Sequence, residues 1–107
     1  MRPTVMLSFA RVRLRIPALM QVEFFGIPRE RAGMSEVEVQ AETLGQLLST
    51  LRTRIPSLGS FIGIEGQDFR LNPVFVASLN GDRFVTDPET PLAANDHVLI
   101  LSADAGG

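Results

Sequence analysis

The chain runs out on two glycines, Gly106 and Gly107, behind a tail of mostly small residues, Ser102-Ala103-Asp104-Ala105. A carboxylate carried on residues without a Cβ is the least hindered acyl group a polypeptide can present. Its backbone can also thread a narrow channel in conformations closed to other residues. The carboxylate by itself is a poor acyl donor: with an ordinary pKa of about 3.5 it is ionised at neutral pH and resists nucleophiles. Activation as an acyl-adenylate would make it reactive, and sulfide attacking that adenylate would leave a thiocarboxylate whose sulfur can be passed on. No glycine-rich loop leads into a lysine here, so the chain has no recognised ATP motif of its own.

Other chemistry finds little support. Cysteine is absent, which excludes disulfides, thiolate metal sites and a cysteine nucleophile, and fits a reducing, cytoplasmic interior. No metal-ligand spacing occurs. His97 stands beside Asp96 without the nucleophile elbow a hydrolase would need, and Glu36, Glu38 and Glu42 read as a solvated strand face. All ten basic residues are arginine, so no side chain can accept an isopeptide bond. A net charge of −2 gives no electrostatic footprint for nucleic acid. No stretch is long and apolar enough to cross a membrane as a helix.

The elements that must position the tail follow from periodicity. Residues 1–19 carry Arg2, Arg11, Arg13 and Arg15 and no acid. They are expected to be a disordered extension, or to lie upstream of a start at Met20, with a transit segment as the alternative. Residues 20–107 form one domain. Gln21 to Phe25 alternates, placing Val22 and Phe24 on one face and Phe25 on the other. Gly26-Ile27-Pro28 ends that strand, and Arg29 to Gly33 is expected to carry the chain around to a second strand at Glu36–Gln40. Thr43 and Gln46 make a capping-box pattern ahead of Leu44, Leu47, Leu48, Leu51 and Ile55, one helical stripe that stops at Pro56.

Ser57 to Asn72 is the least regular stretch, with a short helical turn as its expected content. Val74–Leu79 reads as a strand, Asn80-Gly81 as a tight turn, and Arg83–Val85 as the return strand. Asp87 to Asp96 reads as a loop anchored by Leu92. The last strand, His97–Leu101, is continuously apolar after its first residue, as suits a strand flanked on both edges. This order predicts an α+β fold: a β-grasp, ubiquitin-like roll with a mixed sheet of four to five strands and one main helix packed on one face.

Set out in that order, the residues resemble the MoaD/ThiS family of small sulfur carriers, most closely the small subunits of molybdopterin synthase. The resemblance is carried by Val22-Glu23-Phe24-Phe25-Gly26 with Arg29-Glu30 and Gly33, by Val76-Ala77-Ser78-Leu79-Asn80-Gly81, and by Pro91-Leu92, Asn95-Asp96-His97-Val98 and Gly106-Gly107. It implies a non-catalytic carrier whose Gly107 carboxylate is adenylated by an E1-like adenylyltransferase and then thiocarboxylated. ATP and the sulfur donor would be used by that partner, and the carrier would hold no cofactor and no metal. A large catalytic subunit would receive the sulfur for molybdopterin. Carriage of sulfur for cysteine, thiamine or tRNA thiolation, or conjugation as a ubiquitin-like modifier, is the alternative.

Gly106, Ala105 and Asp104 would form the inserting tail; six residues past Leu101 span at most about 20 Å. On the sheet, Phe25, Leu99 and Leu101 share the face away from the helix and are expected to form an apolar docking patch, with Arg29 beside it to meet a partner carboxylate. The resemblance places partner contacts at Phe25 and Leu101. The competing expectation is that Ser57 to Asn72 folds over that face and buries it.

Overall fold

A computed structural model describes residues 19–66 and 68–103 of the chain. Strand β1 (Leu19–Phe24) buries Met20, Val22 and Phe24 and exposes the residues between them, the alternation of a half-buried strand. Leu19 thus belongs to the sheet, where it pairs with Gln40. Residues 1–18, which hold the rest of the expected extension, lie outside the described residues.

The link to the second strand departs from expectation. Arg29 to Gly33 is not plain loop: a short helix, α1 (Ile27–Ala32), fills it. Gly26 opens the segment at φ 72° and Gly33 closes it in the left-handed region at φ 73°, its N–H donating to the Arg29 carbonyl over 3.0 Å. Pro28 sits in the first turn, where its missing N–H costs nothing, and is buried. Strand β2 (Glu36–Gln40) then returns antiparallel to β1.

Helix α2 (Leu44–Arg54) begins where the capping residues place it. Thr43 Oγ1 accepts from the Gln46 N–H, while Gln46 Oε1 accepts from the Glu42 N–H, one residue further back than in a standard capping box. Leu44, Leu47, Leu48 and Leu51 are all buried, and Ile55 ends the helix before Pro56. The 87–90 loop supplies acceptors for the remaining N-terminal donors: Leu44 N–H to the Thr90 carbonyl and Gly45 N–H to that of Pro88. Glycine at 45 suits that approach, since a Cβ there would lie 3.1 Å from Pro88 Cβ and push the loop back by a few tenths of an ångström.

Ser57 to Asn72 also holds more order than its sequence announces. A 3-10 turn at Pro56–Leu58 leads into a hairpin of β3 (Ile62–Glu65) and β4 (Asp68–Leu71), a separate two-stranded sheet. The hairpin packs beside α2, and Leu58, Phe61 and Ile62 join the core. Phe61 stacks on Phe75, with ring centroids 4.1 Å apart. The segment therefore thickens the helix side and leaves the opposite face of the main sheet open.

Strands β5 (Phe75–Leu79), β6 (Arg83–Val85) and β7 (His97–Ser102) complete the main sheet in the order β2-β1-β7-β5-β6. Strand β7 is central, parallel to β1 and antiparallel to β5. Val98 and Ile100 point into the core from this position. Leu92 anchors the preceding loop as expected, buried, with its N–H on the Glu42 carbonyl. The result is the mixed five-stranded β-grasp that the element order predicts. Among the described residues no helix is long and apolar enough to cross a membrane.

Candidate functional site

The last described residues continue the central strand to the edge of the sheet. Ser102 still pairs with Phe75, and the Ala103 N–H donates to the Val74 carbonyl over 2.8 Å, so the chain leaves beside the start of β5. Asp104, Ala105, Gly106 and Gly107 lie outside the described residues. Helix α1 packs against β7 at this same end.

Register then fixes what surrounds the exit on the open face. Leu99 lies between Glu23 of β1 and Ser78 of β5, and Ser78 in turn pairs with Phe84. One step closer to the tail, Leu101 pairs with Val76, and the Phe25 N–H donates to the Ile100 carbonyl, placing Phe25 on the other flank of β7. Phe25 is 52% exposed, Phe84 57% and Val74 58%. These side chains make the tail-side half of the open face apolar, a feature that marks contact surfaces.

The other half is polar. Gln21 donates its side-chain amide to Glu36, and His97 Nε2 lies 2.9 Å from Glu23 Oε1. Glu38 stands in the same row, across β1 from His97. Exposed carboxylates here do not converge on a reacting position. Among the described residues no three of His, Asp and Glu come together as a metal site. An open groove of about 590 Å³, lined by Gln40, Thr43, Gln46, Ser49, Asp68 and Glu89 among others, touches the open face only at Gln40, at the edge strand β2. Among the described residues the domain thus offers an apolar surface beside the end of β7.

The expected docking residues fall unevenly on this surface. Phe25 is exposed and Leu99 half-buried, as their strand parity requires. Leu101 corrects the expectation of an exposed patch residue: it retains 8% exposure, with α1 packed on its strand and Val76 directly across from it. Arg29 is exposed on α1, and its side chain has no ion pair or hydrogen bond among the described residues. Val74, Val76 and Phe84 belong to the same apolar half and were not marked by the sequence alone. Their signal lay in the β5–β7 and β5–β6 registers, which periodicity within one strand does not supply.

The sequence model of the ThiS family matches residues 22–107. No curated protein matches the sequence. Among solved structures, small archaeal modifier protein 1 from Methanosarcina acetivorans is similar, with a TM-score of 0.69 at 24% identity over 85% of this chain and 98% of that one. The Amycolatopsis orientalis BexX/CysO complex gives 0.66 at 23% identity, covering 82% and 99%. A complex of subunits 1 and 2 of molybdopterin-converting factor from Helicobacter pylori gives 0.57 at 22% identity, covering 83% and 99%. Likenesses at these identities are likenesses of fold.

Proposed function

This chain belongs to the ThiS family of small sulfur carriers, and on that premise we propose that Gly107 is the atom-bearing end of a sulfur shuttle. The observation that carries the reading is the reach of the family match, which runs through Gly106 and Gly107 rather than stopping at the last strand. In the proposed cycle a separate E1-like adenylyltransferase joins the Gly107 carboxylate to AMP and releases pyrophosphate from ATP. Hydrosulfide delivered by a sulfur donor then displaces AMP, leaving a thiocarboxylate and a proton. The sulfur adds to an unsaturated electrophilic carbon of the acceptor, whose displaced π-electron pair takes up a proton, and water then cleaves the acyl–sulfur bond, restoring the Gly107 carboxylate and leaving a thiol on the acceptor.

This chain's share of that work is positioning. Strand β7, pinned on both sides, directs the tail outward, and the apolar half of the open face around Phe25 and Leu99 seats the partner that takes the tail. Arg29, exposed beside β7 on α1, is placed to meet a partner carboxylate. The acceptor we favour is the pterin precursor of molybdopterin, held by a large catalytic subunit, on the pattern of Phe24-Phe25, Arg29-Glu30 and the terminal glycines. The fold likeness to an archaeal modifier protein supports a second reading, conjugation of Gly107 to lysines of other proteins.

Intact-mass spectrometry with sequencing of the terminal peptide tests the proposal, after incubation with an E1-like adenylyltransferase, ATP and a sulfur source. Replacement of one Gly107 oxygen by sulfur is the expected result, and truncation after Ala105 abolishes it. Gly107-dependent adducts of cell proteins, with no thiocarboxylate, would move the assignment to the modifier reading.

A further inference from the structure

Three asparagines occur in the chain, and the residue that follows each decides its chemistry. A backbone N–H attacking the preceding asparagine carboxamide closes a five-membered succinimide and expels ammonia. Asn72 precedes Pro73, which has no N–H to supply, and Asn95 precedes Asp96, whose side chain crowds the attack. Asn80 precedes Gly81, whose nitrogen is unhindered. Both residues are exposed at the tip of the β5–β6 turn, at φ 56° and 68°, so water has access to the product as well.

The fold holds this reactive pair in a clasp. Asn80 Oδ1 accepts from the His97 N–H over 2.8 Å, and Asn80 Nδ2 donates to Asp96 Oδ1 over 3.0 Å. The Asn80 N–H donates in turn to the His97 carbonyl over 2.7 Å. Asp96 is itself fixed, its other carboxylate oxygen accepting from the Ala93 N–H. The carboxamide is thereby tied to the start of β7 and kept from swinging onto the Gly81 nitrogen.

We propose that Asn80 is the deamidation site of this protein and that the Asp96–His97 clasp is the brake on it. In the reaction the Gly81 nitrogen bonds to Asn80 Cγ, the Cγ–Nδ2 bond breaks, and ammonia leaves. Water then opens the succinimide at either carbonyl, giving aspartate or isoaspartate. Either product sets a carboxylate against that of Asp96 where a donated hydrogen bond had been, and isoaspartate also lengthens the backbone of a tight turn. The damage falls on the anchored end of the central strand whose other end carries the tail, so conversion loosens the element that aims Gly107.

The test is to age the full-length protein at mildly alkaline pH and 37 °C, in native buffer and in urea, and to follow amide-to-acid conversion by peptide mass. Conversion at Asn80 is expected in both, slower in native buffer by about thirtyfold, the equivalent of two net hydrogen bonds. In native buffer Asp96→Ala should recover about fivefold of that protection, one hydrogen bond's worth. Asn80→Asp should shift the denaturation midpoint downward. Equal rates in native buffer and urea would overturn the brake, and the wild-type comparison decides this even where Asp96→Ala fails to fold. Conversion appearing first at Asn72 or Asn95, or no conversion at Asn80 in urea, would overturn the site.

Discussion

The two faces of the main sheet are built from the same strands and serve opposite ends. Toward α2, Met20, Val22, Phe24, Ala77, Val98 and Ile100 are buried and uniformly apolar. On the other side the alternate residues divide into an apolar half near the tail, with Phe25, Leu99, Leu101 and Val76, and a polar half of Gln21, Glu23, Glu38 and His97. The first face stabilises the fold, and the second is left largely open. Because side chains alternate strictly along a strand, one set of residues can be read for stability and its neighbours for recognition. Leu101 is the exception that joins them, an open-face residue by parity and a buried one by exposure.

Substitutions should separate the faces by size of effect. Leu48→Ala, a fully buried stripe residue on α2, is expected to cost about 2–5 kcal/mol in denaturant unfolding, the usual range for a buried leucine. Leu101→Ala should cost about 2 kcal/mol, at the lower end of that range. A cost near zero would return Leu101 to the exposed class. Thr43→Ala removes the cap of α2 and should cost about 1 kcal/mol, read in the same assay.

Phe25→Ala is expected to leave stability within about 0.5 kcal/mol. The same change should weaken docking to the activating enzyme by about tenfold or more, as loss of an aromatic anchor does. Glu23→Gln, breaking an exposed pair with His97, should change stability least, by less than about 0.5 kcal/mol in a thermal melt. A loss larger than that of Leu48→Ala at any open-face position would collapse the distinction between the faces.

How much of this was legible in the sequence depends on length and periodicity. Glu36–Gln40 alternates without interruption and is the observed β2, and the Leu44 to Leu51 stripe with its Thr43 cap marks α2 at the correct start. The apolar run Val98–Leu101 is the observed central strand, with Val98 and Ile100 in the core and Leu99 and Leu101 on the apolar half of the other face. Helix α1 escaped because six residues between glycines carry too few turns to show a period. The β3–β4 hairpin escaped because Gly63 and Gly66 interrupt its alternation and it forms its own two-stranded sheet. Of the candidate site, parity placed Phe25 and Leu99 correctly. The burial of Leu101 was not readable, since it depends on how α1 packs against β7 and which residue of β5 lies opposite. Both are tertiary facts.

The most direct measurement is the mass of the Gly107 peptide after reaction with the adenylyltransferase, ATP and a sulfur donor, run in parallel on the wild type and on Phe25→Ala. The account predicts one sulfur in place of oxygen at Gly107 in the wild type, and slower conversion in a variant whose melting is unchanged. An unmodified wild-type tail beside a control carrier that is thiolated would contradict it.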